Sequence, residues 1–153
     1  MTPKLLDEIK QNKPFASVQE ELFLNLSRTA SALGHSVEQH LRPYGLSPTQ
    51  YNVLRILRGA GPDGLCQADI GDRLVAQVPD VPRILDRMEK AGWVRRERGT
   101  EDRRVVLASL TEPGAAVLRE LDAPLAQMMA GMFVSMTSED MQRLNDLLVA
   151  ARA

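Results

Sequence analysis

The chain has 153 residues, of which 44% are hydrophobic and 25% are charged, and its formal net charge is −1. This length fits one domain that can bury a hydrophobic core, and no apolar run approaches the ~18 residues that a membrane-spanning helix needs. Because the N-terminal residues lack the apolar core of a signal peptide and Cys66 is the only cysteine, we expect a cytoplasmic protein without intrachain disulfides or membrane partners.

The first part of the chain is predicted to be one long helix preceded by an arm, residues 1–16. Ser17 and Glu20 have the spacing of a capping box, which starts the helix. Apolar residues then recur every three or four positions as far as Leu41, and Gly45 follows as a stop signal. Such a long apolar stripe exceeds what a small domain can cover, so we predict that a second subunit covers the remainder.

Two shorter helices are predicted next. Ser47 and Gln50 form a second capping box, with Pro48 at the first helical position, where its missing N–H costs nothing. Residues 66–74 form a short helix, the first of the predicted helix-turn-helix. Residues 77–80 join it to the second.

Residues 81–111 carry the strongest functional pattern. They begin with an amphipathic helix that ends at Gly92 and has a positively charged outer face. A hairpin follows, with predicted strands at 93–98 and 104–110. Eight Lys and Arg residues outnumber five Asp and Glu residues between Arg83 and Arg104, a net charge of +3 in a chain of net charge −1. A cationic helix followed by a cationic hairpin is typical of a winged helix-turn-helix that binds DNA.

The C-terminal part is predicted to return to helix. Thr111 is a good N-cap for a helix with an apolar face, and Pro124 should kink or interrupt that helix. Thr137 starts a final helix. We expect both helices to pack, with the long first helix, against their counterparts in a second subunit.

Four stretches resemble the MarR (multiple antibiotic resistance regulator) family. The Asp-Arg-Arg of residues 102–104, followed by Leu-Thr at 110–111, is similar to that family's wing signature, and residues 84–92 are similar to the end of its recognition helix. Residues 46–51 and 65–67 are similar to its two preceding helix starts. The resemblance implies a mainly α-helical fold with a small β-hairpin wing. It divides the chain into an arm (1–16), a winged helix-turn-helix lobe (46–111) and a helical dimerisation region (17–45 and 112–153).

The same resemblance implies a function. It indicates a homodimeric transcriptional repressor that binds a pseudo-palindromic operator in double-stranded DNA and is released by a small aromatic effector. The sequence shows no nucleophile–base pair, phosphate-binding loop or metal-ligand set, so we expect neither an enzyme nor a cofactor. The alternative is a dimeric interaction protein of the same fold that has lost DNA binding.

The expected DNA contacts lie on the helices and the wing. Arg83 and Arg87 belong to the outer face of the recognition helix, although Arg87 could instead pair with neighbouring acidic residues on a solvated face. By resemblance, Arg104 enters the minor groove, Asp102 braces it, and a phosphate contact is expected for Arg103. The full set of predicted DNA-binding residues is Gln67, Asp80, Arg83, Arg87, Asp102, Arg103 and Arg104.

The front of the recognition helix departs from the family. Pro82 stands where the family commonly has a threonine, and it lacks both a hydroxyl and an N–H. Asp80 could cap the helix or accept a hydrogen bond from a cytosine amino group, but it would repel phosphate. These two residues motivate the alternative of lost DNA binding.

The remaining candidate sites are weaker. In the family, effectors bind between the dimerisation helices and the DNA-binding lobe, and four residues could line such a space or simply belong to the core or interface. Cys66 occupies a helix N-cap, where a thiol can be oxidation-sensitive, although a structural cap is the simpler interpretation. The two histidines do not share a helix face, so no metal is expected. The candidate effector residues are Ser31, His35, Met128 and Met132.

Overall fold

The computed structural model describes residues 4–153. It confirms a mainly helical fold with a small antiparallel sheet, in which the strand order is β1-β3-β2. The helices are α1 (Leu5–Glu8), α2 (Val18–Leu41), α3 (Pro48–Ala60), α4 (Gln67–Arg73), α5 (Val81–Lys90), α6 (Glu112–Met132) and α7 (Ser138–Ala150). The strands are β1 (Leu65–Cys66), β2 (Val94–Arg98) and β3 (Val106–Leu110).

The predicted helix starts are confirmed by their capping hydrogen bonds. The Ser17 hydroxyl accepts from the Glu20 N–H at 3.1 Å, and the Thr111 hydroxyl accepts from the N–H three residues later at 3.2 Å. Ser47 and Thr137 each form a reciprocal capping box. Each cap satisfies a backbone donor that has no partner inside its helix, so the helix boundaries follow from local chemistry.

Pro124 does not interrupt α6, so that predicted outcome is wrong. Helix α6 continues through Pro124 without interruption, because Leu121 and Leu125 on either side are buried in the core and tertiary packing outweighs one missing hydrogen bond. At the other end of the chain, the short helix α1 lies within the predicted arm. Glu8 in α1 pairs with Arg28 in α2 at 2.7 Å.

The hairpin differs from the prediction in length and partners. Its second strand begins at Val106 rather than Arg104, because residues 99–105 form a longer turn closed by the Gly99 N–H bonding to the Val105 carbonyl at 2.8 Å. The sheet also has a third strand that was not predicted. Leu65 pairs with Ala108, so β1 ties the start of α4 to the back of the wing.

One buried cluster holds the fold together. It joins the end of α2 to α3, α4, α5, the sheet and the first half of α6, and it contains only hydrophobic side chains. In contrast, the start of α2 and the end of α7 leave large apolar side chains exposed, such as Phe23 at 68% and Leu147 at 58%. These two helices and the loop between α6 and α7 border an apolar groove of about 480 Å³. Among residues 4–153, every helix is too short or too polar to cross a bilayer.

Candidate nucleic-acid interface

Helix α5 begins where the two prolines require it to begin. Asp80 is the N-cap, and its carboxylate accepts from the Arg83 N–H at 3.1 Å. Val81 and Pro82 are then the first two helical residues. The N–H at the second helical position has no partner inside a helix, so Pro82 removes no helical hydrogen bond. Both residues are thus compatible with a well-formed recognition helix.

The burial of α5 determines which residues it presents outward. Val81, Leu85 and Met88 face the core, whereas Pro82, Arg83, Arg87 and Lys90 are exposed. Among residues 4–153, neither Arg83 nor Arg87 forms an ion pair. The alternative in which Arg87 pairs with its acidic neighbours is therefore wrong, and both guanidinium groups are available to an external anion.

The acidic residues of α5 pair with the wing instead. The Arg96 guanidinium, on β2, donates to the Glu89 carboxylate at 2.7 and 3.0 Å and also contacts Asp86. The backbone N–H of Arg96 donates to the same glutamate at 3.2 Å. The side-chain hydrogen bond from Arg96 lowers the pKa of Glu89, and the same bond raises the pKa of Arg96. This cluster, which we call the Arg96 clamp, fixes the wing against the recognition helix.

Sequence reasoning missed the Arg96 clamp, although a signal exists. Glu89 lies in the last turn of α5 and Arg96 lies seven residues later. On a strand, Arg95 and Arg96 point to opposite faces, so only one of them can turn toward the helix. Which one does so depends on the strand register, because Arg96 pairs with Ala108, whose side chain is buried.

At the tip of the wing, Asp102 contacts both the backbone and the side chain of Arg104. The Asp102 carboxylate accepts from the Arg104 N–H at 2.9 Å, and the Arg104 Nε lies 3.5 Å from the same carboxylate. The Arg104 side chain is 95% exposed. Arg103 is also exposed, and with Arg98 and Thr100 it lines an open cavity of about 420 Å³. The bracing role of Asp102 therefore has a structural basis, and the two arginines point out of the fold.

The residues at the start of α4 have different roles. Gln67 is its exposed first residue, on a separate element from α5. Cys66 is the N-cap, and its sulfur accepts from the Asp69 N–H at 3.5 Å. The thiol therefore serves as a weak helix cap, in agreement with the simpler interpretation.

The four candidate effector residues do not share one cavity. Ser31 and His35 are exposed on α2 and line a polar cavity of about 850 Å³ beside α1, whose lining includes neither methionine. Met128 packs against the core, and Met132 is half-buried near the end of α6. Sequence spacing alone could not show this, since α2 and α6 contact each other over only part of their lengths.

Another cavity, of about 290 Å³, lies between α3 and the residues that follow α4, with one lining residue each from α2 and α6. Arg55 on α3 borders it, and the guanidinium carbon lies 6.0 Å from the centre of the Tyr51 ring. The side-chain carbonyl of Asn52, on α3, accepts from the Val75 N–H at 2.9 Å and so holds the linker that follows α4. Met129 contributes the wall from α6. Sequence reasoning did not select these residues.

Comparison with known proteins assigns this arrangement to a family. The MarR family profile matches residues 46–106, which span the helix-turn-helix and most of the wing. The transcriptional regulator PrsX of Escherichia coli is 32% identical over 127 residues, which cover 82% of this chain and 75% of PrsX. The chain belongs to the MarR family. The family that the sequence motifs indicated is therefore confirmed.

Two solved structures illustrate the same fold. A mutant of Escherichia coli MarR in complex with operator DNA superposes with a TM-score of 0.78 and 23% identity, covering 97% of this chain and 99% of that one. Bordetella bronchiseptica BpsR superposes with a TM-score of 0.80 and 21% identity, covering 92% of this chain and 98% of BpsR. The DNA binding of BpsR is regulated by 6-hydroxynicotinic acid. This MarR-family chain is a DNA-binding transcriptional regulator and not an enzyme.

Proposed function

We propose that this protein represses transcription as a homodimer bound to a pseudo-palindromic operator. The observation that carries the proposal is the surface formed by α5 and the wing. Its exposed arginines include Arg83, Arg87, Arg103 and Arg104, while Arg96 pairs with both acidic residues of α5 and offsets part of their charge. A two-fold dimer presents two such surfaces, which suits half-sites about one helical turn apart, ~34 Å centre to centre.

Each residue of this surface has a separate proposed role. Arg83 and Arg87 lie on the recognition helix, so we assign them to the major groove, where arginine binds guanine edges or phosphates. Arg104 enters the adjacent minor groove, and a phosphate contact is assigned to Arg103 and to Gln67. Asp80 and Asp102 act within the protein, by capping α5 and bracing Arg104, and not as acceptors for DNA bases.

The apolar groove supports the dimer. Large exposed apolar side chains on α2 and α7, Leu22 and Leu147 among them, are costly for an isolated chain in water and are typical of an interface. We expect sedimentation at micromolar concentration to show a dimer. The variant Leu22→Glu should give monomers, whereas Glu38→Gln, an exposed change on the same helix, should not. A stable wild-type monomer would contradict this architecture.

DNA binding is tested by selection from a random-sequence duplex pool followed by salt titration. Arg83→Ala should cost ~1–3 kcal/mol and relax specificity at one position if the arginine contacts a base. A phosphate contact would instead reduce the salt slope by about one unit with little sequence dependence. The control is Arg28→Ala, which removes an exposed arginine from α2, outside the proposed DNA-binding surface. If no duplex is selected, the interaction-protein alternative gains support.

Repression follows from occupancy of an operator that overlaps a promoter. A reporter gene carrying the selected operator should be silenced by the wild-type chain and released by the Arg83 and Arg104 variants together. Increased transcription would indicate an activator instead. The proposed target is genomic DNA. We therefore propose that the protein acts in the compartment that contains the genome, which is the cytoplasm in bacteria such as those of its relatives.

We also propose a small aromatic anion as effector, in the cavity bordered by Arg55 and Tyr51. A guanidinium beside an aromatic ring can bind a ligand that carries a carboxylate on an aromatic ring. One such molecule, 6-hydroxynicotinic acid, regulates DNA binding by BpsR. That compound should release operator DNA from the wild type but not from Arg55→Ala. The polar cavity of Ser31 and His35 is the rival site. If His35→Ala removes the response instead, the effector binds there.

A further inference from the structure

The front of α5 offers DNA an apolar surface instead of hydrogen-bond donors. Pro82 is exposed and has neither an N–H nor a polar side-chain atom. The Asp80 carboxylate, two residues earlier, is already engaged in the cap with the Arg83 N–H. The exposed residue before the cap, Pro79, also lacks an N–H. At this position, then, the recognition helix presents only carbon-bound hydrogen atoms to an approaching base.

We propose that Pro82 is a specificity-determining residue that reads the C5-methyl group of a thymine in the major groove. The proposal rests on the proposed DNA-binding function of α5. It goes further by naming the base that the helix front selects and the residue that selects it.

The position of Pro82 on α5 directs its ring toward the groove. Val81 is buried and turns toward Gly71 of α4, which places the next residue about 100° further around the helix, away from α4. Pro82 lies one turn before Asp86, on the side of the helix that faces the wing. It is also adjacent to Arg83. Both residues belong to the first turn of α5, and a recognition helix places its N-terminal residues at the base edges of the major groove.

The chemistry of base edges then selects thymine. Among the four bases, only thymine carries an apolar group in the major groove, whereas cytosine and adenine present amino donors there and guanine presents acceptors. A proline ring satisfies none of those polar groups and would remove water from them at a cost. Against a methyl group the same ring buries apolar surface, which is favourable. The residue that departs from the family pattern thus changes what the helix reads.

The test uses deoxyuridine, which differs from thymidine only by that methyl group. The tightest duplex selected from a random-sequence pool is resynthesised with each thymine of its half-sites replaced in turn. For wild type, replacing the contacted thymine in one half-site should weaken binding roughly fourfold, and replacing it in both half-sites about fifteenfold. For Pro82→Ser, which keeps the helix start but removes the ring, the same replacement should have little effect.

The chain contains a matched control. Pro113 is also exposed and is also the second residue of its helix, α6, behind a Thr111 cap. Pro113→Ser therefore reproduces the change in helix start and chain flexibility but should retain the full deoxyuridine penalty. Thermal unfolding of both variants shows whether they are equally folded.

The outcomes are distinguishable. A sensitive thymine in the wild type and Pro113→Ser, but not in Pro82→Ser, establishes the contact. If no replacement weakens wild-type binding, or if Pro82→Ser keeps the penalty, the inference is wrong while DNA binding by α5 stands. If the wild type selects no duplex at all, the proposed function itself fails.

Discussion

Replacing Arg96 with alanine should separate the wing from the recognition helix. Hydrogen bonds to charged groups contribute about 1.5–3 kcal/mol each when well shielded. Here the Arg96 side chain is 26% exposed, but Glu89 is 39% and Asp86 52% exposed, so water already solvates much of the clamp. Allowing for that screening, we expect Arg96→Ala to lower the free energy of unfolding by about 1–2 kcal/mol. The melting temperature should fall by roughly 2–8 °C.

Arg95 provides a matched control on the adjacent residue. It carries the same charge, and its only ion pair within residues 4–153 is with Glu97 at 3.0 Å, both side chains being 64% exposed. Arg95→Ala should therefore change the free energy of unfolding by less than about 0.5 kcal/mol. Both variants remove one positive charge from the wing, so a difference between them reports the clamp and not the net charge.

DNA affinity should show the same contrast. Without Arg96, the carboxylates of Asp86 and Glu89 remain on the recognition helix without their wing partner and repel phosphate. We expect Arg96→Ala to weaken operator binding well beyond Arg95→Ala at equal salt and protein concentration. The measurements are thermal unfolding and fluorescence anisotropy of a labelled operator. Equal losses for the two variants in both assays would refute the reasoning.

The clamp also predicts a pH dependence. Because the folded-state pKa of Glu89 lies below its ordinary value, its contribution to stability is complete above that ordinary value and disappears as the pH falls through the folded-state pKa. The stability difference between the wild type and Arg96→Ala should therefore be largest near neutral pH and should shrink in acid. A constant difference down to low pH would assign the effect to packing alone.

Three further changes test other parts of the structure. Arg104→Ala should weaken binding most at operators flanked by A·T tracts, whose narrow minor groove attracts arginine; salt titrations on two operators that differ only in those flanks measure this. Asp122→Asn removes the charge of the Asp122 carboxylate, whose two oxygens accept from Arg58 Nη1 at 2.8 and 3.0 Å and so join α6 to α3; it should cost up to about 1 kcal/mol in denaturant unfolding, given the exposure of the pair. Gly114→Ala would drive a methyl group into the Trp93 carbonyl oxygen, so we expect a loss of more than about 2 kcal/mol and poor folding at raised temperature.

Much of this architecture could be predicted because its signals are local. The caps at Ser47, Thr111 and Thr137 are completed within four residues, and an apolar stripe marks the inner face of each helix. The same applies to Asp102 and Arg104, which are two residues apart and form their contact within one turn. Such interactions depend on the neighbouring sequence alone, so the helix boundaries follow from residue spacing, whereas the roles of the wing residues were implied by the family resemblance.

Contacts between distant segments depended on the tertiary structure. Strand β1 has only two residues, too few to show the alternation of apolar and polar residues that predicts a strand. It forms because Leu65 pairs with Ala108, more than forty residues later in the chain. The choice of Arg96 over Arg95 as the clamp depends on the same sheet register. Continuity of α6 through Pro124 depends on its buried neighbours. Cooperative packing selects among several local arrangements that are each acceptable, and residue spacing contains no information on that selection.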